Sequence, residues 1–165
     1  MLSNHSKSIA VGGVFAALAI VIMCLGGLIP IATYACPMLC TMTQFLVLRI
    51  CGKRISCAWF AVVVILSLLF SPDKEAAFVF LAIGYYPLIK HPIEHTGMPL
   101  LLKLVFFNCS IFLIYSTMIF LLGMQEIASE NMELGFIGLA VLLLLGNVTF
   151  LLLDKLLAIM DRKMR

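Results

Sequence analysis

The chain has 165 residues, of which 64% are hydrophobic and 12% charged, and its mean hydropathy is +1.18. A soluble domain is about half apolar and about a quarter charged, so this composition excludes a water-soluble globular domain, a disordered chain and a disulfide-stapled secreted module. The formal net charge of +3 is small, and in the class that remains, a polytopic membrane protein, the position of charges matters more than their sum.

The length suits a single integral membrane domain, all-α, with about six spans of roughly 20 residues. The apolar runs place the first span at Ile9–Ile29, ended by Pro30. Its length exceeds the roughly 7–15 residues of a secretory signal core, so a retained span is expected although Ala32-Thr33-Tyr34-Ala35-Cys36 loosely resembles a lipoprotein cleavage box. Gly12/Ala16 and Gly13/Ala17 form two small-xxx-small pairs, read together as one face that lets another helix approach closely, either within the bundle or in a partner subunit.

The second span is Ala35–Ile50, with Pro37 near its start, where a missing N–H costs little. Cys36 and Cys40 lie here, one turn apart; they make neither a CxxC nor a metal quartet, and with Cys24, Cys51, Cys57 and Cys109 they read as small apolar packers. Thr41, Thr43 and Gln44 are polar groups inside the span. Threonine can bond back to its own helix, whereas the Gln44 carboxamide must meet another helix, water or a ligand.

The third span is Ile55–Ser71 and the fourth Ala76–Ile89, both short for a bilayer of about 30 Å. Trp59, Tyr85 and Tyr86 sit near span ends and read as an aromatic belt at the headgroups. His91-Pro92-Ile93-Glu94-His95 matches H-x-x-E-H, in which two His bind zinc and Glu handles a water proton. Pro92 inside the motif, with Gly97 and Pro99 after it, predicts a polar turn instead, and no third ligand is evident.

The fifth span is Pro99–Leu122, ended by Gly123, and the sixth Leu134–Leu153. A short connection makes them antiparallel neighbours. Asn108 lies five residues beyond Lys103 and Asn147 seven before Asp154, which puts the asparagines at nearly one depth and predicts an interhelical hydrogen bond, with Lys103 against Asp154. Tyr115, Ser116 and Thr117 are polar positions in the fifth span, and Glu126, Glu130 and Glu133 make its connection to the sixth acidic.

If the N-terminus is cytoplasmic, Lys7, Arg49, Lys53, Arg54, Lys90, Lys103, Lys155, Arg162, Lys163 and Arg165 all fall on the cytoplasmic side and only Lys74 opposite. Ten against one over short loops predicts six spans with both ends inside. No charge lies at the centre of a span, which argues against a proton relay. There is no phosphate-binding loop for ATP and no nucleophile with a base in reach. An enzyme, a cofactor, a metal site and a nucleic-acid partner are therefore not expected.

Size, six spans, the texture Gly13-Val14-Phe15-Ala16-Ala17-Leu18-Ala19, a proline-bearing outer loop and Gly52-Lys53-Arg54 together resemble the substrate-binding S component of energy-coupling factor (ECF) vitamin transporters. That resemblance implies a multi-pass cell-membrane protein, in a bacterial plasma membrane, that binds a vitamin or related micronutrient near its outer side. It also implies docking on a transmembrane coupling subunit with two ATPases. The family docks through an AxxxA pair on span one; here Gly13 and Ala17 hold that spacing, with Gly12 and Ala16 beside them. The expected solute is small and mostly apolar, bound by Tyr34, Thr41, Gln44, Tyr115 and Thr117 below an acidic mouth. Two alternatives stay open: a membrane scaffold or assembly protein held by its asparagines, and a metal-dependent membrane enzyme using His91, Glu94 and His95.

Overall fold

The computed structural model describes residues 2–26, 32–94, 96–120 and 125–164, with side chains at 6–26, 33–94, 96–117, 140–141 and 143–164. These residues are all-helical, with no strand among them: α1 (Leu2–Gly26), α2 (Ala32–Cys51), α3 (Lys53–Phe70), α4 (Lys74–Ile83), α5 (Tyr86–Glu94), α6 (Pro99–Phe120) and α7 (Gln125–Met164). Six helical segments are long and apolar enough to cross a membrane, with α4 and α5 together forming the fourth, Lys74–Glu94. The chain divides into two units, Met1–Gly97 and Met98–Arg165.

The first unit is built from α1 to α5. The connections from α2 to α4 are short and each has a local cause. Between α2 and α3 there is only Gly52, at φ 85° and ψ 169°, a region that is essentially glycine's alone. Between α3 and α4, the Asp73 carboxylate caps α4 by accepting from Ala76 N at 3.0 Å. Lys74 Nζ donates to Leu68 O at 2.8 Å and Leu69 O at 3.4 Å, which satisfies the last carbonyls of α3. The Ser71 hydroxyl sits between Met23 O (3.2 Å) and Asp73 O (3.0 Å), tying this turn to the end of α1.

The core joins α1 to α4 through Ala19, Met23, Cys36, Cys40, Val47, Trp59, Val63, Val64, Ala76, Ala77 and Phe80. Many of these are small, which lets helices come close where lipid gives no hydrophobic drive. Trp59 packs edge-on against Phe80, with ring centroids 6.5 Å apart. It is buried, as is Tyr86, so the belt reading is corrected for both: each sits close to a span end in sequence but on the inward side of its helix.

The fourth span is longer than the sequence reading and is broken. Gly84 N still bonds Phe80 O at 2.7 Å, and α5 then restarts with Leu88 N to Tyr85 O at 3.0 Å. A Cβ on Gly84 would lie 2.6 Å from Phe80 O and 2.9 Å from Phe60 Cε2; glycine is required by this close approach. The expected polar turn at His91–Glu94 is also corrected, because these residues continue α5. Pro87 falls in its first turn, where proline costs little, whereas Pro92 costs α5 the backbone bond that an N–H there would make to Leu88 O. His95 lies outside the described residues.

The second unit is a helical pair, α6 and α7. Phe107 stacks on Phe150 with centroids 4.8 Å apart and planes at 19°. The two predicted polar contacts form. Asn108 Nδ2 donates to Asn147 Oδ1 at 2.9 Å and Asn147 Nδ2 returns a bond to Asn108 Oδ1 at 3.2 Å. Each amide also donates at 2.8 Å to its own helix, to Leu104 O and Leu143 O. Lys103 Nζ lies 2.7 Å from Asp154 Oδ2. The helix of the sixth span extends beyond the predicted Leu134–Leu153: α7 has 40 residues, or about 60 Å at 1.5 Å per residue, twice a bilayer core, and its candidate membrane-crossing segment is Leu143–Met164. Large apolar side chains such as Leu101, Val105, Phe112, Leu113, Leu144 and Leu152 are exposed, an arrangement suited to lipid and not to water.

Candidate functional site

Polar chemistry inside the first unit collects on α2 and α3. Thr41 and Gln44, one turn apart on α2, are fully buried. Thr41 Oγ1 donates to Pro37 O at 2.8 Å and Thr43 Oγ1 to Cys40 O at 2.7 Å, so both hydroxyls are satisfied by their own helix. Gln44 reaches α3. Its Nε2 donates to Ser56 O at 3.2 Å and lies 3.1 Å from Ser56 Oγ. That hydroxyl in turn lies 3.5 Å from Gln44 O. The other half of the carboxamide, Gln44 Oε1, is buried with no hydrogen-bond partner, as are Trp59 Nε1 and Ser67 Oγ on α3.

Within the first unit, Tyr34 is not gathered there. Tyr34 is half exposed at the start of α2, and its hydroxyl donates to Glu75 Oε1 at 3.1 Å. It lies ten residues before Gln44, about 15 Å along the helix. Tyr115 and Thr117 belong to α6 in the second unit, where Thr117 Oγ1 donates to Leu113 O at 2.8 Å. The side chains of Glu126, Glu130 and Glu133, the expected acidic mouth, lie outside the described residues.

The two small-residue pairs of α1 separate. Gly12 is buried and Ala16 half-buried, and a Cβ on Gly12 would touch Ile55 Cγ2 at 3.4 Å. This pair packs α1 on α3. Gly13 and Ala17 are exposed, with Ala10 continuing the same strip, and a Cβ on Gly13 would meet nothing within 4 Å. Of the four residues assigned to docking, only Gly13 and Ala17 are open to a partner. Adjacent positions on a helix differ by about 100°, which turns one pair inward and the other outward.

His91 and Glu94 are exposed on α5, and Glu94 Oε1 pairs with Lys90 Nζ at 3.5 Å. Among the described residues no three His, Cys, Asp or Glu side chains gather as metal ligands.

Sequence reasoning missed Ser56 and Ser67 and placed Trp59 in a headgroup belt. In a wholly apolar helix nothing in the residue pattern says which side faces inward, and serine carries no strong signal of its own. The available hint was spacing: Ser56 and Ser67 lie three turns apart and so share a face, with Trp59 one turn from Ser56.

No protein-family model, curated protein or solved structure matches this chain.

Proposed function

We propose that the chain is the solute-binding subunit of an ATP-driven uptake transporter in the plasma membrane of a bacterium, with both ends cytoplasmic. The single observation that carries this reading is the division of α1. A helix that already packs through Gly12 and Ala16 keeps a second strip of small residues, Ala10, Gly13 and Ala17, open on its outer side. In lipid, helices associate by close packing, and small residues are what permits it. A large residue would cover a lipid-facing surface as well, so the strip favours a transmembrane helix of a coupling subunit as its occupant. The solute side of the reading is supported by Gln44, a buried carboxamide with one half unpaired, and the orientation by the ten-to-one placement of basic residues. Energy comes from partner ATPases, since the sequence has neither a phosphate loop nor a midplane proton relay.

The direct test is purification of the tagged chain from its native membrane in mild detergent, with identification of the proteins that accompany it. A membrane subunit and two ATPases are expected. A chain that purifies without any ATPase refutes the transporter reading and favours the scaffold alternative.

A further inference from the structure

Charge is unevenly spread over the first unit. Lys7 lies near the start of α1, Arg49 in the last turn of α2, and Lys53 and Arg54 open α3. These helix ends adjoin. Gly52 alone separates α2 from α3, Cys51 Sγ lies 3.2 Å from Ser8 O, and Gly12 packs against Ile55. All four cations are exposed. Lys74, Lys90 and Lys103, by contrast, are engaged with Leu68 O, Glu94 and Asp154. No carboxylate among the described residues pairs with Lys7, Lys53 or Arg54. Asp73 and Glu75 follow the far end of α3, about 25 Å along its axis.

Arg54 also heads an apolar stripe. At about 100° per residue, positions 54, 58, 61, 65 and 69 fall on one side of a helix. Ala58, Ala61, Ile65 and Leu69 are exposed, as is Val62 beside them, while Trp59 and Val63 on the opposite side are buried. From Ala58 to Leu69 the stripe runs about 16 Å, close to one leaflet of a bilayer core of about 30 Å. The candidate membrane-crossing segment begins at Lys53, which puts Lys53 and Arg54 at the level of the headgroups.

We propose that this side of α3 binds one anionic phospholipid, with its phosphate at Lys53 and Arg54 and an acyl chain along Ala58, Ala61, Ile65 and Leu69. Lys7 and Arg49 add to the positive field around the headgroup. Arg49 does so from the end of its span, where its guanidinium lies over the Phe45 ring, 5.5 Å from the centroid. A basic cluster at a span end attracts anionic lipid, and a zwitterionic headgroup gains less because its own cation meets the same field. An acidic protein segment would match the charge and leave the stripe uncovered. The site goes beyond the transporter reading and does not depend on it, since the strip assigned to docking belongs to α1.

The test is native mass spectrometry of the full-length purified chain in mild detergent, titrated with dioleoyl phosphatidylglycerol or dioleoyl phosphatidylcholine. A single phosphatidylglycerol adduct is expected at about tenfold lower lipid concentration than the phosphatidylcholine adduct. Lys53→Gln with Arg54→Gln is expected to remove that preference. Lys155→Gln with Lys163→Gln, the same change of charge at exposed positions of α7, is expected to keep it. Glycerol phosphate, which carries the charge without the chains, is expected to leave the adduct in place even in large excess. Equal binding of the two lipids, a preference that survives in the α3 variant, an equal loss in the α7 variant, or displacement by glycerol phosphate overturns the proposal. Should the α3 double variant fail to fold, Arg54→Gln alone decides, with phosphatidylglycerol expected to bind about fivefold more weakly and unchanged binding counting against the site.

Discussion

Replacing Lys103 with Met tests how strongly the second unit depends on one ion pair. The pair is short, 2.7 Å, and its side chains keep only 11% and 15% of their surface. Exposed ion pairs contribute about 0–1 kcal/mol, whereas removing one partner of a buried pair costs about 3–5 kcal/mol because a charge is left behind. The small residual exposure of both groups puts this pair nearer the second case, and some solvation at a helix-pair end lowers the value. The expected loss for Lys103→Met is about 2–3 kcal/mol, and for Asp154→Leu about the same. The double substitution leaves neither charge of the pair and is expected to cost no more than either single change, giving a coupling energy of at least about 2 kcal/mol. Reversible unfolding in mixed micelles of mild detergent and dodecyl sulfate, run as a double-mutant cycle, measures it. Single losses under about 0.5 kcal/mol with no coupling would place the pair with exposed ones and refute the reasoning from burial.

Three further outcomes follow from named contacts. Asn108→Leu removes the reciprocal amide bonds with Asn147 and is expected to cost about 1 kcal/mol in the same assay, between the mean and maximum for membrane hydrogen bonds. Gly84→Ala forces a Cβ to within 2.6 Å of Phe80 O and is expected to cost at least 2 kcal/mol, roughly the scale of overpacking; near-neutral stability would show that the break yields. In intact cells, Glu130→Cys is expected to react with an impermeant thiol reagent and Arg162→Cys only after the membrane is opened, in line with the basic bias; the reverse pattern would invert the topology.

The residues that carry the fold were largely legible. Long apolar runs marked every span, and the depth arithmetic around Lys103 and Asp154 found both polar contacts of α6 and α7. Depth along a helix follows from counting residues, but azimuth needs a polar side to reveal it, and these helices have none. That is why Gly12 and Gly13 read as one face, and why Trp59 read as part of a headgroup belt although it is buried against Phe80. The fourth span failed for a different reason. Pro92, with Gly97 and Pro99 after it, suggested a turn, yet α5 continues through Pro92 to Glu94, and the actual break falls at Gly84, against Phe80 one turn earlier in α4 and Phe60 from α3. The candidate site was half legible: Gln44 stood out as a carboxamide in an apolar span, while its partner Ser56 depends on how α2 and α3 meet across Gly52.

The central claim, that this chain docks on a coupling subunit through the outer strip of α1, is tested most directly by Gly13→Leu with Ala17→Leu. Both positions are open to their surroundings, and Gly13 has no neighbour within 4 Å of its Cβ position, so the double variant is expected to fold and to purify as well as the natural chain. Quantified in affinity-purified material from native membranes, the ATPases are expected with the natural chain and lost from the variant. ATPases retained undiminished by the folded variant, or absent from the natural chain, would contradict the account.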